Sequence, residues 1–318
     1  MREPPSSLSW LGVLTVLLAL LIGGTSIVLG LDDGPVPPFL QPASSESNAE
    51  PSRTRSDGVL RVTGSGSNLP SARMLASAFA EEGRPRPVVH PSIGSGGGIR
   101  ALLDGVIDVA LISRPLAARE RELGLVAVPY ARMPVIVAVN GDVPDPGIGA
   151  KELLDIYSGE RRMWSDGSRV VVLQREQGDS SHRAVAEVFP EFAAVNEVAY
   201  RQGRWRVLYH DAAMRDALSS TEGALGLHGS GDLPDDGRFR PLLIDGVAPT
   251  LDNVSSGAYP FTKELAFVTR GAPRGVVAEL IEFAHSPRGQ ELIVELGAVP
   301  IAPDGSPLTI EAREEVRD

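Results

Sequence analysis

Residues 92–99 read SIGSGGGI, and no other stretch narrows the fold of this chain as much. The run Pro87–His90 ahead of it has strand character, and Ile99–Asp104 behind it (IRALLD) has helical character. Glycines at a strand-to-helix junction let several backbone N–H groups point at one spot, and the helix start adds partial positive charge. The product is an anion cradle. A Gly/Ser run is also the composition of a plain flexible loop, so the reading depends on whether the chain repeats the grammar.

It repeats it twice. Val59–Thr63 is a strand candidate that feeds GSGSNLP (residues 64–70), with Ser67 or Asn68 near the cap of a helix over Pro70–Glu82. Val170–Leu173 feeds REQGDSS (residues 175–181), whose Asp179, Ser180 and Ser181 are capping residues for a helix over His182–Phe189. Buried strands are expected at Val109–Ile112, Pro134–Val139 and Leu265–Thr269, and helices at Ala150–Tyr157 and Val276–Phe283. The alternation predicts an α/β fold with mostly parallel sheets. In open sheets of that kind ligands sit at the carboxyl ends of strands, where all three loops fall. Arg175 adds a guanidinium able to fork onto a tetrahedral oxyanion. Taken singly, each loop also reads as a turn, a cap or a surface arginine.

Composition removes whole classes of function. There is no cysteine, which excludes disulfides, thiolate catalysis, Cys-containing zinc sites and a lipid-modified N-terminal Cys. The formal charge of −11 disfavours a nucleic-acid surface. No His-Glu-x-x-His, Gly-x-Ser-x-Gly or Gly-Lys-[Ser/Thr] motif occurs, and His90, His182, His210, His228 and His285 lack metal-ligand spacing. No metal, cofactor or enzymatic activity is expected.

Trp10–Leu31 is uncharged and long enough to span a bilayer as a helix. No Ala-x-Ala exit follows its small residues, which favours an uncleaved signal anchor over a cleaved signal. Arg2 before the span and Asp32 and Asp33 after it place the body outside the cytoplasm. The expected order is a stub and anchor (1–31), a disordered Pro/Ser/acidic tether (32–58), a folded body, and a polar tail (303–318).

The body resembles the phosphate-binding proteins of bacterial ABC transporters, a branch of the type II periplasmic binding proteins. The resemblance spans Leu60–Ile301 and rests on ordered motifs: GSGSNLP, SIGSGGGIRALLDG, DVALISRPL, PVIVAVN, KELLDIYSGERRMWSDG, VVVLQREQGDSSHRAV, TEGALGLHG and YPFTKELAFVT. It implies two α/β lobes (59–136 with 259–302, and 137–258) joined by crossing strands, with phosphate or a related oxyanion in the cleft. Carried over by position, the implied ligand residues are Asn68, Ser95, Ser113, Arg175, Ser180 and Ser181. Ser67, Gly96, Arg114 and Asp179 complete the candidate set. Asp179 departs from the family, which carries Ser there. It either caps the next helix and faces away, or accepts the proton of a hydrogen phosphate. The implied partner is an ABC permease. The alternative is a membrane-anchored sensory or interaction module that kept the fold.

Overall fold

The computed structural model describes residues 58–233 and 236–308. The anchor segment and almost all of the tether and tail expected from the sequence lie outside these residues. No helix among the described residues is long and apolar enough to cross a membrane.

The chain opens with β1 (Arg61–Gly64), a single 3₁₀ turn (Gly66–Asn68), α1 (Leu69–Glu81), β2 (Val88–Val89), α2 (Gly94–Leu103) and β3 (Val109–Ile112). After α3 (Ala118–Glu122) comes β4 (Leu125–Asn140), the longest strand. Next are β5 (Gly147–Ile148), α4 (Ala150–Ser158), β6 (Val171–Arg175), α5 (Ser180–Val188), α6 (Glu191–Arg201), β7 (Arg206–Leu208), α7 (Asp211–Ser220) and β8 (Ala224–Gly229). A further 3₁₀ turn, Ser230–Asp232, leads to β9 (Phe239–Pro241), β10 (Leu243–Ile244) and α8 (Leu251–Ser255). The described chain closes with β11 (Thr262–Arg270), α9 (Val276–His285), α10 (Pro287–Glu295) and β12 (Val299–Pro300).

The expected helices at 70–82, 150–157, 182–189 and 276–283 and, apart from the longer β4, the expected strands are present within a few residues of their bounds. α2 starts at Gly94, inside the glycine run, and about half of the helices and strands, α6, α7 and β8 among them, were not expected. α1 begins with Pro70 in its first turn, where a missing N–H costs nothing, and buries Leu75, Ala76 and Phe79 on one face. The sheet differs from expectation: it is mixed, not mostly parallel. β1 pairs in parallel with β2 and β3, and β6 with β7 and β8. Between these groups the pairing is antiparallel, because β11 runs back along β4 from Thr262↔Pro134 to Arg270↔Leu125.

β4 belongs to both halves of the sheet. Its first part pairs with β11 and β12, and Val135–Asn140 pairs with β8 and β9. The sequence showed only this second part, because Pro129, Arg132 and Pro134 break the apolar run of the first. The register with β11 shifts at Leu265/Ala266, which face Ala131 and Pro129 and leave Tyr130 as the extra residue. Such a bulge re-aims a side chain. Here the fully buried Tyr130 hydroxyl donates to Asn68 Oδ1.

Separate apolar cores form around the two parts of this shared strand, one taking in Tyr130 and Met133 and the other Val135 and Val139. One gathers Val62, Phe79, Leu111, Phe267 and Phe283; another gathers Val137, Tyr157, Phe192, Leu225 and Phe261. The two-lobe α/β arrangement follows from these cores. Trp164 is buried with its indole N–H on Gly223 O, and Trp205 is half-buried with its own on Tyr157 O.

Two glycines bring α2 onto the strand ends. Gly64 has φ +150°, and a Cβ there would stand 2.1 Å from Leu111 O. A Cβ on Gly98 would stand 2.9 Å from the Gly64 Cα. Neither position has room for a side chain, so the start of α2 sits directly over the ends of β1 and β3.

Candidate functional site

The loops after β1, β2, β6 and β7 meet around a cavity of about 490 Å³. Ser65, Gly66, Ser67, Ser92, Ser95 and Gly96 line one wall, and Arg175, Glu176, Asp179, Ser180, His210 and Asp211 line the other. Of the ten residues expected from the sequence, Ser67, Ser95, Gly96, Arg114, Arg175, Asp179 and Ser180 reach this cavity.

Three do not line it. Ser113 is buried, donates to Ser65 Oγ at 2.8 Å and lines an adjoining cavity of about 320 Å³. Ser181 lies behind Ser180, buried against Lys263. Asn68 is a clear departure. Its amide donates to Ile112 O at 2.9 Å and Ala266 O at 3.4 Å, its Oδ1 accepts from Tyr130, and its backbone N–H goes to Ser65 O. These bonds occupy it inside the fold, clamping β3, β4 and β11 behind the first loop.

The first wall carries hydroxyls and peptide N–H groups. Ser95, in the first turn of α2, accepts from the Ser113 N–H at 3.4 Å, and Ser92 Oγ donates to Gly64 O at 3.0 Å. Arg114 spans both cavities, but its guanidinium is forked onto Glu120 at 2.7 and 2.8 Å.

The second wall is ionic. Arg175 ends β6 and is only 4% exposed. Its Nε stands 3.3 Å from Glu176 and 3.4 Å from Asp179, and its Nη1 3.6 Å from Asp211. Neither nitrogen makes a well-formed hydrogen bond among the described residues. Burial opposes the charge of Arg175, but Asp179, Asp211 and Glu176 outweigh burial and hold its pKa above the ordinary value. Burial likewise pushes Asp179 up, yet Arg175 and Lys263 prevail and keep its carboxyl below the usual range. Asp179 therefore stays ionised. Glu176 goes the other way: its burial outweighs the attraction of Arg175 and raises it.

Asp179 has two roles. Its Oδ1 caps α5 by accepting from the Ser181 N–H at 2.9 Å, while its Oδ2 faces Arg175. The capping expectation holds, but the residue does not face away from the cavity. His182, the third residue of α5, is buried among Tyr157, Phe192 and Asn196, and burial drives its pKa down to about 4.

Sequence reasoning missed Asp211 and Lys263. Asp211 opens α7 and points at the first wall: a Cβ on Gly66 would lie 2.0 Å from Asp211 Oδ2. The β7–α7 junction is a fourth strand–loop–helix unit, hidden because β7 is only three residues long. Lys263 is 5% exposed, and its ammonium reaches hydroxyls of both walls. Its signal was present: a lone cation on the inward, alternating face of an apolar strand with Leu265.

Residues 48–288 match the PBP superfamily domain. The chain belongs to the PBP superfamily. The Bacillus subtilis (strain 168) phosphate-binding protein PstS is 26% identical over 267 residues, covering 81% of this chain and 85% of that one. A Clostridium perfringens substrate-binding protein assigned to phosphate ABC transport, crystallised with phosphate, superposes with a TM-score of 0.67 at 21% identity. It covers 76% of this chain and 99% of its own. An ABC-type phosphate transport receptor from Vibrio cholerae superposes with a TM-score of 0.57 at 20% identity, covering 75% and 98%. At these identities the structural likeness shows the same fold.

Proposed function

We propose that this PBP-superfamily protein is an extracytoplasmic solute-binding protein that takes phosphate, or a related tetrahedral oxyanion, into the cleft between its lobes for ABC-type uptake. The observation that carries the reading is Arg175. A buried guanidinium with two nitrogens short of hydrogen bonds faces a cavity edged by Ser67, Ser95 and Ser180. Such an arrangement suits an acceptor-rich anion: charge-assisted bonds from arginine, with hydroxyl and peptide donors on the opposite side. The phosphate-binding names of several relatives agree with it.

In this reading Ser95, Arg175 and Ser180 contact the anion directly, with Ser67 and the N–H of Gly96 beside them. Ser113 and Ser181 support them through Ser65 and Lys263. Asp179, kept ionised, accepts the proton of a hydrogen phosphate, which sulfate lacks near neutral pH. The lobes are residues 59–136 with 259–302, and 137–258. β4 and β11 act as the hinge, since β4 runs through both halves of the sheet. An anion held by both walls binds the closed state better than the open one and so favours closure. The uncharged run Trp10–Leu31 serves as the membrane anchor, and the partner is a permease.

Calorimetry of the full-length protein with phosphate and sulfate tests it. Saturable phosphate binding, tighter than sulfate, is expected. Binding of neither anion would remove the solute-binding reading and return the chain to the sensory or interaction alternative.

A further inference from the structure

Lys263 is the most unusual charge in the molecule. Of the thirty basic residues in the chain, only Lys151 and Lys263 are lysines. Lys151 is exposed and paired with Asp155 on α4. Lys263 is buried, and its ammonium donates to Ser67 Oγ at 2.7 Å, Ser181 Oγ at 3.0 Å and Ser180 Oγ at 3.4 Å. Those three bonds use all three of its N–H groups. No carboxylate lies within ion-pair distance of it among the described residues. An ammonium taken out of water and met only by neutral oxygens is a costly arrangement. Burial lowers its basicity, with partial relief from the more distant Asp179 and Asp211.

The direction of these bonds gives the cost a purpose. A serine oxygen that accepts from an ammonium has its own proton free to point elsewhere. Ser67 and Ser180 both line the main cavity and Lys263 does not; it lines the adjoining one, on whose edge Ser180 also stands. Each hydroxyl is therefore polarised from the rear and turned as a donor towards the cleft. Ser67 stands on the first wall and Ser180 on the second, so one ammonium sets donors on both. A compact, three-donor ammonium suits three separate oxygens. A planar guanidinium suits two oxygens of one group, which is the geometry of Arg175.

We propose that Lys263 is a positioning residue for the bound oxyanion. It holds Ser67 and Ser180 in donor orientation and supplies, through them, a second positive charge behind the site. The inference rests on the oxyanion reading and adds to it a residue that does not touch the ligand.

Two measurements on full-length protein test it. In Lys263→Met the hydroxyls lose both their orientation and the charge behind them. Phosphate affinity by calorimetry should fall about tenfold to a hundredfold. Lys263→Arg, which keeps the charge, should recover part of that loss, which a purely structural lysine would not predict. Melting temperatures without phosphate identify any folding defect. A folded Lys263→Met protein that binds phosphate within about twofold of the parent would overturn the proposal. Should Lys263→Met not fold, the parent still decides. With ¹⁵N-lysine labelling, saturating phosphate should move the Lys263 ammonium resonance and leave that of Lys151 in place; an unmoved Lys263 would contradict the proposal. A parent that binds no oxyanion removes the functional reading itself. A phosphate-binding parent with an indifferent Lys263→Met removes this inference alone.

Discussion

The two walls of the cleft are built on different principles. The wall formed by the loops after β1 and β2 carries hydroxyls, peptide groups and the Ile93 side chain, and its shape is set by backbone contact: Gly64 against Leu111, and Gly98 against Gly64. The wall formed by the loops after β6 and β7 is a cluster of charge, with Arg175 ringed by Glu176, Asp179 and Asp211. The first wall's loops carry no charged side chain, so each donor contributes modestly. The second is a balance of opposing charges, so removing one member changes the field that every other member feels. Substitutions on the second wall should therefore have larger effects, and effects of both signs.

The largest is expected at Arg175. A hydrogen bond to a charged group contributes roughly 1.5–3 kcal/mol, so Arg175→Ala should weaken phosphate about tenfold to over a hundredfold in a calorimetric titration. It also leaves three carboxylates facing each other, so the ligand-free protein should melt lower. Unchanged affinity would dissolve the contrast between the walls.

Asp179→Asn comes next. Asn caps a helix about as well as Asp, so α5 should persist by circular dichroism. Phosphate should weaken by about tenfold while sulfate weakens less or gains, since the lost acceptor matters only to a protonated anion. The same carboxylate sets a pH limit. Its folded pKa lies below the ordinary value of 3.8, so the stability it contributes is present above that value. That stability is lost as pH falls through the folded pKa. Little change in either affinity would leave Asp179 as a cap alone.

Asp211→Asn should act in the opposite direction. Removing one negative charge near Arg175 raises the potential in the cleft, and phosphate should bind about threefold to tenfold tighter. Weaker binding would mean that Asp211 holds Arg175 in place more than it competes with the ligand. The smallest effect belongs to the neutral wall. Ser95→Ala removes one hydroxyl and should cost about twofold to tenfold in phosphate affinity. A loss as large as that of Arg175→Ala would erase the distinction between the walls.

The contrast between the walls also explains what the sequence could reveal. Glycine-rich junctions and capping residues are local, so the strand-to-helix junctions near residues 64–70, 92–99 and 175–181 were legible, although α2 already starts at Gly94 inside the second, and seven of the ten candidate residues line the cavity. Asn68 does not line the cavity because its environment is not local: Tyr130, 62 residues away in sequence and at a bulge, bonds its side chain. Lys263 and Asp211 were missed for the same reason. Their neighbours in the site are Ser67 and Gly66, far apart in sequence, and only the return of β11 and the placing of α7 bring them together. The antiparallel centre of the sheet was hidden likewise, since alternation of strands and helices says nothing about which way a long returning strand pairs.

The most direct test of the central claim is a crystal structure of the protein grown or soaked with arsenate, a phosphate analogue whose arsenic scatters anomalously. One arsenic peak is expected in the cleft, within hydrogen-bonding reach of the Arg175 guanidinium on one side and the Ser67 and Ser95 hydroxyls on the other. A well-occupied peak elsewhere on the molecule, with the space beside Arg175 holding only water, would contradict it.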